Sequence, residues 1–196
     1  MARKPSREEL WRALAGEMDG AIVPGRRGKP GGVRFEAGAW HVILDSYTQS
    51  NGNTSQTFTR VRSVFRAKDD LRFRIYRKSV FSGLGKALGM QDLEVGMPGV
   101  DEAYIVQSNS IGKVQSLLMR RDVADPLITL NAGKLHIRRF RKRGFREPGW
   151  MELVYESTVT KELDRMRLMV KVVVAVIQHL GRTGTASHDA VPVPVL

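Results

Sequence analysis

The sequence contains no cysteine among its 196 residues. This absence excludes disulfide bonds, thiol nucleophiles, thiolate zinc sites and iron–sulfur clusters together. A chain of this length buries roughly 70% of its unfolded surface, so a hydrophobic core can hold it without cross-links. A sequence without disulfides is typical of a reducing compartment, which favours a cytoplasmic protein.

Long apolar runs are also missing. Acidic residues interrupt the apolar stretches between Met1 and Gly20, so no signal-peptide core of about 7 to 15 apolar residues forms there. The most apolar stretch, Leu168 to Leu180, contains Lys171 and His179 and is far shorter than the ~20 residues that span a bilayer. We therefore expect a buried helix at this stretch and a cytoplasmic location.

The residue patterns of common catalytic and metal sites are absent from the sequence. The four histidines are widely spaced and lack the convergent spacing of zinc ligands. Ser82 to Ala87 resembles a phosphate-binding loop, but Ala87 stands where that motif needs a Ser or Thr to hold Mg²⁺. No Gly-x-Ser-x-Gly motif occurs. We predict a protein that is not an enzyme, with no catalytic residue, cofactor or metal ligand.

Two local motifs predict the first helix and the first hairpin. Ser6 and Glu9 have the spacing of a capping box, and apolar residues recur every four positions behind them. The dipeptide Asn51-Gly52 separates two β-favouring runs. Asn-Gly is the strongest short-range signal of a tight hairpin turn, so we expect antiparallel strands on either side.

The second half of the chain alternates strand and helix signals before a long terminal helix. Asp101 to Val106 is typical of a strand, and Asp125-Pro126 is typical of a helix start. A last hairpin is expected to join Lys134–Phe140 to Trp150–Glu156. Thr160 to Gly181 predicts the terminal helix, because acidic residues occupy its first turn and a glycine follows its apolar run.

Most strand signals precede the long helix instead of alternating regularly with helices. This order predicts an α+β fold, in which an antiparallel β-meander sheet has helices packed on one face and a long C-terminal helix. We expect one domain over residues 1–181. Residues 182–196 are small and polar, and we expect them to form a disordered C-terminal tail.

Acidic residues are too few to balance the basic ones. The chain has 32 Lys and Arg against 20 Asp and Glu, a net charge of +12. Two segments account for the whole excess. Arg60 to Lys78, the first patch, has eight basic and two acidic residues; Arg138 to Arg146, the second patch, has six basic residues and no acid. Charge concentrated in this way favours a binding role over general solubility.

The first patch predicts a hairpin with one apolar and one basic face. A turn through Ala67 to Asp69 would pair Phe65 with Leu71 on the apolar face and Arg62 with Arg74 on the reverse face. Opposed arginines are tolerated if water solvates them, if an acidic neighbour intervenes, or if a polyanion binds them. A solvated face, with arginine stems covering apolar surface, is the alternative that involves no ligand.

Arginine predominates over lysine in both patches, and its planar guanidinium suits phosphate and stacking contacts. Phe140 and Phe145 lie among the basic residues of the second patch, and Trp150 follows. We hypothesise a non-enzymatic binding module for a polyanion, with sequence-tolerant nucleic-acid binding as the favoured role. The candidate binding residues are Arg60, Arg62, Arg72, Arg74, Tyr76, Lys78, Arg138, Arg139, Arg141, Lys142, Arg143 and Arg146.

Two other classes of function fit the same features. The terminal helix is apolar around much of its circumference from Met166 to Ile177. That pattern suits a structural or protein-interaction domain, a homodimer through this helix or a module for an acidic partner, although burial within the fold explains it too. Basic patches with aromatic residues also suit peripheral binding to an anionic membrane, where each Lys or Arg contributes about 1 kcal/mol.

A succession of motifs covers the middle of the chain, from Phe73 to Asn109. A helix and the segment Gly133 to Ile137 follow it. The succession consists of an aromatic strand, then Phe-Ser-Gly-Leu-Gly, then Asp-Glu-Ala-Tyr-Ile-Val. It resembles an uncharacterised family of bacterial cytoplasmic proteins, a domain of unknown function. The resemblance implies an α+β domain and transfers no catalytic residue, and the second patch is particular to this chain.

Overall fold

The computed structural model describes residues 3, 5–25, 30–78, 91–142 and 147–189. The helices are α1 (Arg7–Glu17), α2 (Pro98–Ala103), α3 (Ile111–Leu118), α4 (Arg121–Leu130) and α5 (Leu163–Arg182). The strands are β1 (Ala21–Pro24), β2 (Pro30–Ala37), β3 (Trp40–Asn51), β4 (Thr54–Arg66), β5 (Phe73–Arg77), β6 (Gln91–Leu93), β7 (Tyr104–Ser108), β8 (Lys134–Arg139) and β9 (Trp150–Thr158).

Within the described ranges the strands form one nine-stranded sheet in the order β1-β2-β3-β4-β9-β8-β5-β7-β6. Each neighbouring pair is antiparallel. The helices pack on one face, and the long C-terminal helix α5 contacts β3, β4 and β9. The fold is α+β with an antiparallel sheet, as the order of sequence signals predicted.

Alternation along the strands places one set of side chains under the helices. Leu44, Val61 and Leu153 lie on neighbouring strands with no exposed surface, and Val170 and Val173 of α5 are equally buried. Burial of this kind contributes about 1.5–3 kcal/mol per large aliphatic side chain. The apolar stretch of the terminal helix is therefore part of the core, as the sequence predicted.

Both early local motifs are confirmed. The Ser6 hydroxyl accepts a hydrogen bond from the Glu9 amide at 3.2 Å, and the Glu9 carboxylate accepts one from the Ser6 amide at 2.6 Å. Asn51 pairs with Thr54 across a two-residue turn in which Gly52 has φ of 65°. Capping-box and Asn-Gly signals are satisfied within a few residues, so they need no distant partner.

The expected second hairpin is wrong. Strand β4 pairs with β3 and β9, and β9 and β8 separate it from β5. Arg62 lies opposite Ile43 and Val154, whereas Arg74 lies opposite His136. Strand β9 has nine residues and β5 has five, so pairing with β9 gives β4 the longer hydrogen-bonded ladder.

Two helix boundaries also differ from the sequence prediction. Helix α4 begins at Arg121, with Pro126 inside it, because the Arg120 carbonyl already accepts bonds from the amides of Val123 and Ala124. Helix α5 extends through Gly181 to Arg182. A Cβ at Gly181 would lie 2.1 Å from Cη2 of Trp40, so close packing against Trp40 requires this glycine.

The segment after α5 is packed over residues 183–189, where the sequence predicted a disordered tail from 182. The amide of Ser187 donates to the Arg66 carbonyl at 2.8 Å, and Nε1 of Trp40 donates to the Ser187 carbonyl at 3.0 Å. Ala186 is 1% exposed. These contacts come from β3 and β4, which are distant in sequence. Residues 190–196 of the predicted tail lie outside the described residues.

Candidate functional site

Arginines of the first patch form ion pairs on the sheet face opposite the helices. Nε and Nη2 of Arg60 each lie 2.8 Å from a carboxylate oxygen of Asp45. Arg62 donates to Asp45 at 2.9 Å and, from Nη1, to Glu152 at 3.1 Å. Arg62 is 7% exposed, and acidic neighbours surround its charge, which is one of the three alternatives left open for the arginines of this face.

The ion pairs continue into β8, where the second patch begins. Nε of Arg138 lies 2.8 Å from Glu152, and Nζ of Lys134 lies 3.1 Å from Glu156. Acidic residues of β3 and β9 thus alternate with basic residues of β4 and β8 across four adjacent strands. We call Asp45, Arg60, Arg62, Arg138, Glu152, Glu156 and Lys134 the charged array.

Protonation in the charged array follows these pairings. Burial lowers the pKa of Arg60, but its hydrogen bonds and attraction to Asp45 outweigh burial, and the pKa is raised. Burial raises the pKa of Glu156, but the charge of Lys134 and the hydrogen bond from Tyr47 lower it overall. Arg60 and Glu156 are therefore charged at neutral pH, and Arg60, Arg62 and Arg138 each bind a carboxylate within the fold.

The other candidates on this face differ in exposure. Tyr76 is 5% exposed and so is not the solvent-facing aromatic residue that the sequence predicted. Arg74 is half-buried opposite His136, and Lys78 is exposed. Burial, followed by the charges of Lys134, Arg138 and Arg74, lowers the pKa of His136 to about 3, so this imidazole is neutral at pH 7.

A groove brings the remaining arginines of the two patches together. It has a volume of about 450 Å³ and lies between the turn after β4 and the hairpin of β8 and β9. Arg72 of the first patch lines it with Arg139 and Arg141 of the second. Residues from both patches thus converge on one concave surface, although the hairpin predicted to join them does not form.

The groove arginines differ from those of the charged array. Arg139 and Arg141 are exposed, and neither has an ion-pair partner among the residues that the structure describes. Nη1 of Arg72 lies 3.3 Å from the carbonyls of Asp70 and Leu71, which leaves its charge uncompensated by either contact. These guanidinium groups are positioned to bind an added anion.

Aromatic and acidic residues complete the groove lining. Phe140 lines the groove and is half-buried, whereas Trp150, which also lines it, is 5% exposed. Nε1 of Trp150 lies 3.3 Å from Oε2 of Glu147, which also lines the groove. Asp70 adds an exposed residue on the wall formed by the turn. Each wall of the groove therefore carries both charges, with Asp70 and Arg72 on the turn side and Glu147, Arg139 and Arg141 on the hairpin side.

Asp69 also lines the groove, but the side chains that bond to it lie outside the groove. Its Oδ2 accepts hydrogen bonds of 2.7 Å from Nζ of Lys113 and from Oγ1 of Thr185. Burial raises the pKa of Asp69, but the bonds from Lys113, the Leu71 amide and Thr185 outweigh burial and lower it. Lys113 compensates the Asp69 charge, so Asp70 and Glu147 are the carboxylates that would repel an anion.

Two predicted binding residues, Arg143 and Arg146, lie outside the described residues, as does Phe145. Lys142, the last described residue before these, is half-buried and is not without an interaction partner. The phosphate-loop-like segment of residues 82–87 also lies outside the described part of the chain.

Sequence reasoning missed the acidic partners of the arginines. Glu152 is 90 positions from Arg62, and Asp45 is 17 positions from it. The available signal was an acidic residue at an outward position of an otherwise apolar strand, as at Glu152 between Met151 and Leu153. When such a position is buried, as Glu152 is, the acid needs a cation beside it, here from the neighbouring strands β4 and β8.

No three His, Asp or Glu side chains in the described part of the chain are grouped to hold a metal ion. Among the described helices, none has the length and apolarity needed to span a bilayer.

Comparisons with known proteins give one structural neighbour. No family model matches the chain, and no curated protein matches it. The resemblance to the bacterial family of unknown function therefore stays a prediction. Among solved structures, the chain is similar to the crystal structure of the mycobacterial trehalose monomycolate transport factor A, TtfA. The TM-score is 0.49 at 12% sequence identity, over 96% of this chain and 99% of that chain.

Proposed function

We propose that this protein is a non-enzymatic module that binds a polyanion, single-stranded nucleic acid, in the groove between the β4 turn and the β8–β9 hairpin. The observation that carries the proposal is the convergence of Arg72, Arg139 and Arg141 on one groove. Guanidinium groups bind phosphate oxygens through paired N–H donors. The half-buried Phe140 ring supplies a stacking surface, which only unpaired bases can reach.

The charged array limits how many phosphates the protein can neutralise. Arg60, Arg62 and Arg138 already bind carboxylates, and a phosphate would have to displace those carboxylates to reach them. Three groove arginines release few counterions, so the logarithm of affinity should fall with the logarithm of salt concentration with a slope of about −2. Full use of the twelve candidate residues would give a far steeper slope.

The size of the groove fits a short stretch of nucleic acid. A volume of about 450 Å³ falls within the range of about 300–1,000 Å³ that is typical of small-molecule sites. The groove therefore holds a short piece of a strand, and no base-reading element is needed for such binding. Recognition should be tolerant of base sequence because phosphate and stacking contacts are common to all bases.

Fluorescence anisotropy with labelled single-stranded DNA and RNA and with duplex DNA, at several salt concentrations, tests the proposal. We expect single strands to bind more tightly than the duplex. The double variant Arg139→Ala/Arg141→Ala should make the salt slope shallower by about 1.4, which corresponds to two lost phosphate contacts. Arg12→Ala, which removes an exposed arginine from α1, is the matched control.

Absence of binding at low salt would overturn the proposal, as would a salt slope that the double variant leaves unchanged. The apolar residues of α5 are buried within the fold, which accounts for the pattern that favoured a homodimer. Light scattering and sedimentation with anionic liposomes test the homodimer and membrane alternatives on the same samples.

A further inference from the structure

A second cavity lies on the helix side of the molecule, next to the Asp69 wall of the groove. Its volume is about 150 Å³. Lys113, which bonds to Asp69, lines this cavity and not the groove. The residues that matter for binding are Lys113 and Ser116 of α3, His179 of α5, and the side chains of Leu71, Leu117 and Leu180.

His179 is a polar side chain that the fold leaves without a partner. It is 7% exposed, and its imidazole makes no hydrogen bond with any residue in the described ranges. A neutral imidazole carries one N–H donor and one acceptor nitrogen. Neither ring nitrogen is among the fully enclosed unpaired side-chain atoms of the described residues, so both are open to solvent or to a ligand in the cavity.

Lys113 provides a positioned cation in the lining of the same cavity. Its Nζ lies 2.7 Å from Oδ2 of Asp69, which fixes the end of a side chain that would otherwise be mobile. An ammonium group has three N–H donors, and this bond occupies one of them. Two donors are therefore available for an oxygen ligand in the cavity.

The charges around His179 favour an anion over a cation. Arg120 and Arg182 are the basic groups near it, Asp122 is the acidic one, and burial together with the two arginines lowers the pKa of His179. Arg120 pairs with Asp122 at 2.6 Å and Lys113 pairs with Asp69 at 2.7 Å, so the charge of Arg182 leaves the surroundings positive by one unit. Three leucines line the cavity beside Gly112, Ser116, Thr183 and Thr185, so the ligand needs a short hydrocarbon body as well as an anionic end.

We propose that this cavity binds a small organic carboxylate, with Lys113 and His179 donating to the carboxylate and the leucine side chains enclosing the apolar part. An apolar cavity of about 150 Å³ can hold benzene, so the ligand has roughly six carbon atoms or fewer. The site does not depend on polyanion binding in the groove.

Butyrate and n-butanol, which share an apolar chain and differ in charge, are the probes for this site. The readout is NMR of the His179 imidazole in the full-length protein. We expect butyrate to shift the His179 ring signals and to raise the His179 pKa, because a carboxylate stabilises the imidazolium form. Butanol should bind at least tenfold more weakly, since it lacks the charge-assisted hydrogen bonds.

Variants separate the roles of the two donors. Lys113→Gln should weaken butyrate binding by about tenfold, whereas Lys171→Gln, on an exposed position of α5, should not change it. Equal binding of butyrate and butanol would overturn the proposal, and so would butyrate binding that leaves the His179 signals unchanged. If Lys113→Gln does not fold, the comparison of the two probes on the unmodified protein still decides the question.

Discussion

Arg62 in the charged array and Arg141 in the groove carry the same charge but occupy opposite environments. Arg62 is 7% exposed and contacts two carboxylates. Arg141 is exposed and has no ion-pair partner among the described residues. A count of basic residues in the sequence treats the two alike. The difference teaches that only uncompensated charge at the surface is available for a ligand.

The two regions also differ in what holds them in place. In the charged array, each carboxylate meets cations on adjacent strands, so the sheet register sets the geometry. In the groove, the turn after β4 is held by Asp69, which binds Lys113 of α3 and Thr185 beyond α5. Changes in the array should therefore affect stability most, and changes in the groove should affect binding most.

The largest expected effect is at Arg62. Arg62→Met removes the hydrogen bonds of a buried guanidinium to Asp45 and Glu152, which keep only Arg60 and Arg138 as cationic partners. It should lower the free energy of unfolding by about 1.5–3 kcal/mol. Chemical denaturation measures this loss. Adding Glu152→Gln to Arg62→Met should recover part of it, because the buried Glu152 then has only the partly exposed Arg138 beside it. A loss for Arg62→Met as small as that of Arg12→Met would show that the array is not a stabilising unit.

The next effect is the pH dependence set by His136, beside the array. The folded pKa is about 3 and the ordinary pKa is 6.5, so between these values the unfolded chain binds a proton that the folded chain does not. The contribution of His136 to stability is complete above pH 6.5 and declines toward acid by up to about 1.4 kcal/mol per pH unit. His136→Gln should remove this slope in denaturation curves measured across that range. An unchanged slope would mean that His136 is protonated in the fold.

A smaller loss is expected at Arg138, which shares Glu152 with Arg62. The Arg138 side chain is 42% exposed, and Glu152 keeps its bond to Arg62 when Arg138 is removed. Arg138→Ala should therefore lower the free energy of unfolding by about 0.2–1 kcal/mol, as for exposed ion pairs. The same denaturation assay compares it directly with Arg62→Met. Equal losses for the two variants would contradict the distinction between buried and exposed members of the array.

The smallest effect on stability is expected in the groove. Arg141→Ala should change the free energy of unfolding by no more than about 0.5 kcal/mol, because the side chain is exposed and lacks an ion-pair partner in the described part of the chain. Asp70→Asn should tighten nucleic-acid binding, since it removes an exposed negative charge from the groove wall. Anisotropy titrations at low salt measure this change. Weaker binding by Asp70→Asn would show that the nucleic acid does not bind in the groove.

The sequence by itself determined the features that depend on near neighbours. The capping box of Ser6 and Glu9 and the turn at Gly52 are completed within four residues. Alternation along β4 assigned Val61 and Arg62 to opposite faces, which requires only the two-residue period of a strand. The strands, the long terminal helix and the α+β class follow from such local patterns.

Only the tertiary structure decided which strands are neighbours, and hence which charges meet. Alternation gives the face of a side chain but not the strand beside it, so it could not pair Arg62 with Glu152 across 90 positions of sequence. Nor could it show that Gly181 makes room for Trp40, or that Arg72 and Arg139 share a groove. The physical reason is that burial and charge compensation are settled between segments that only the folded chain brings together.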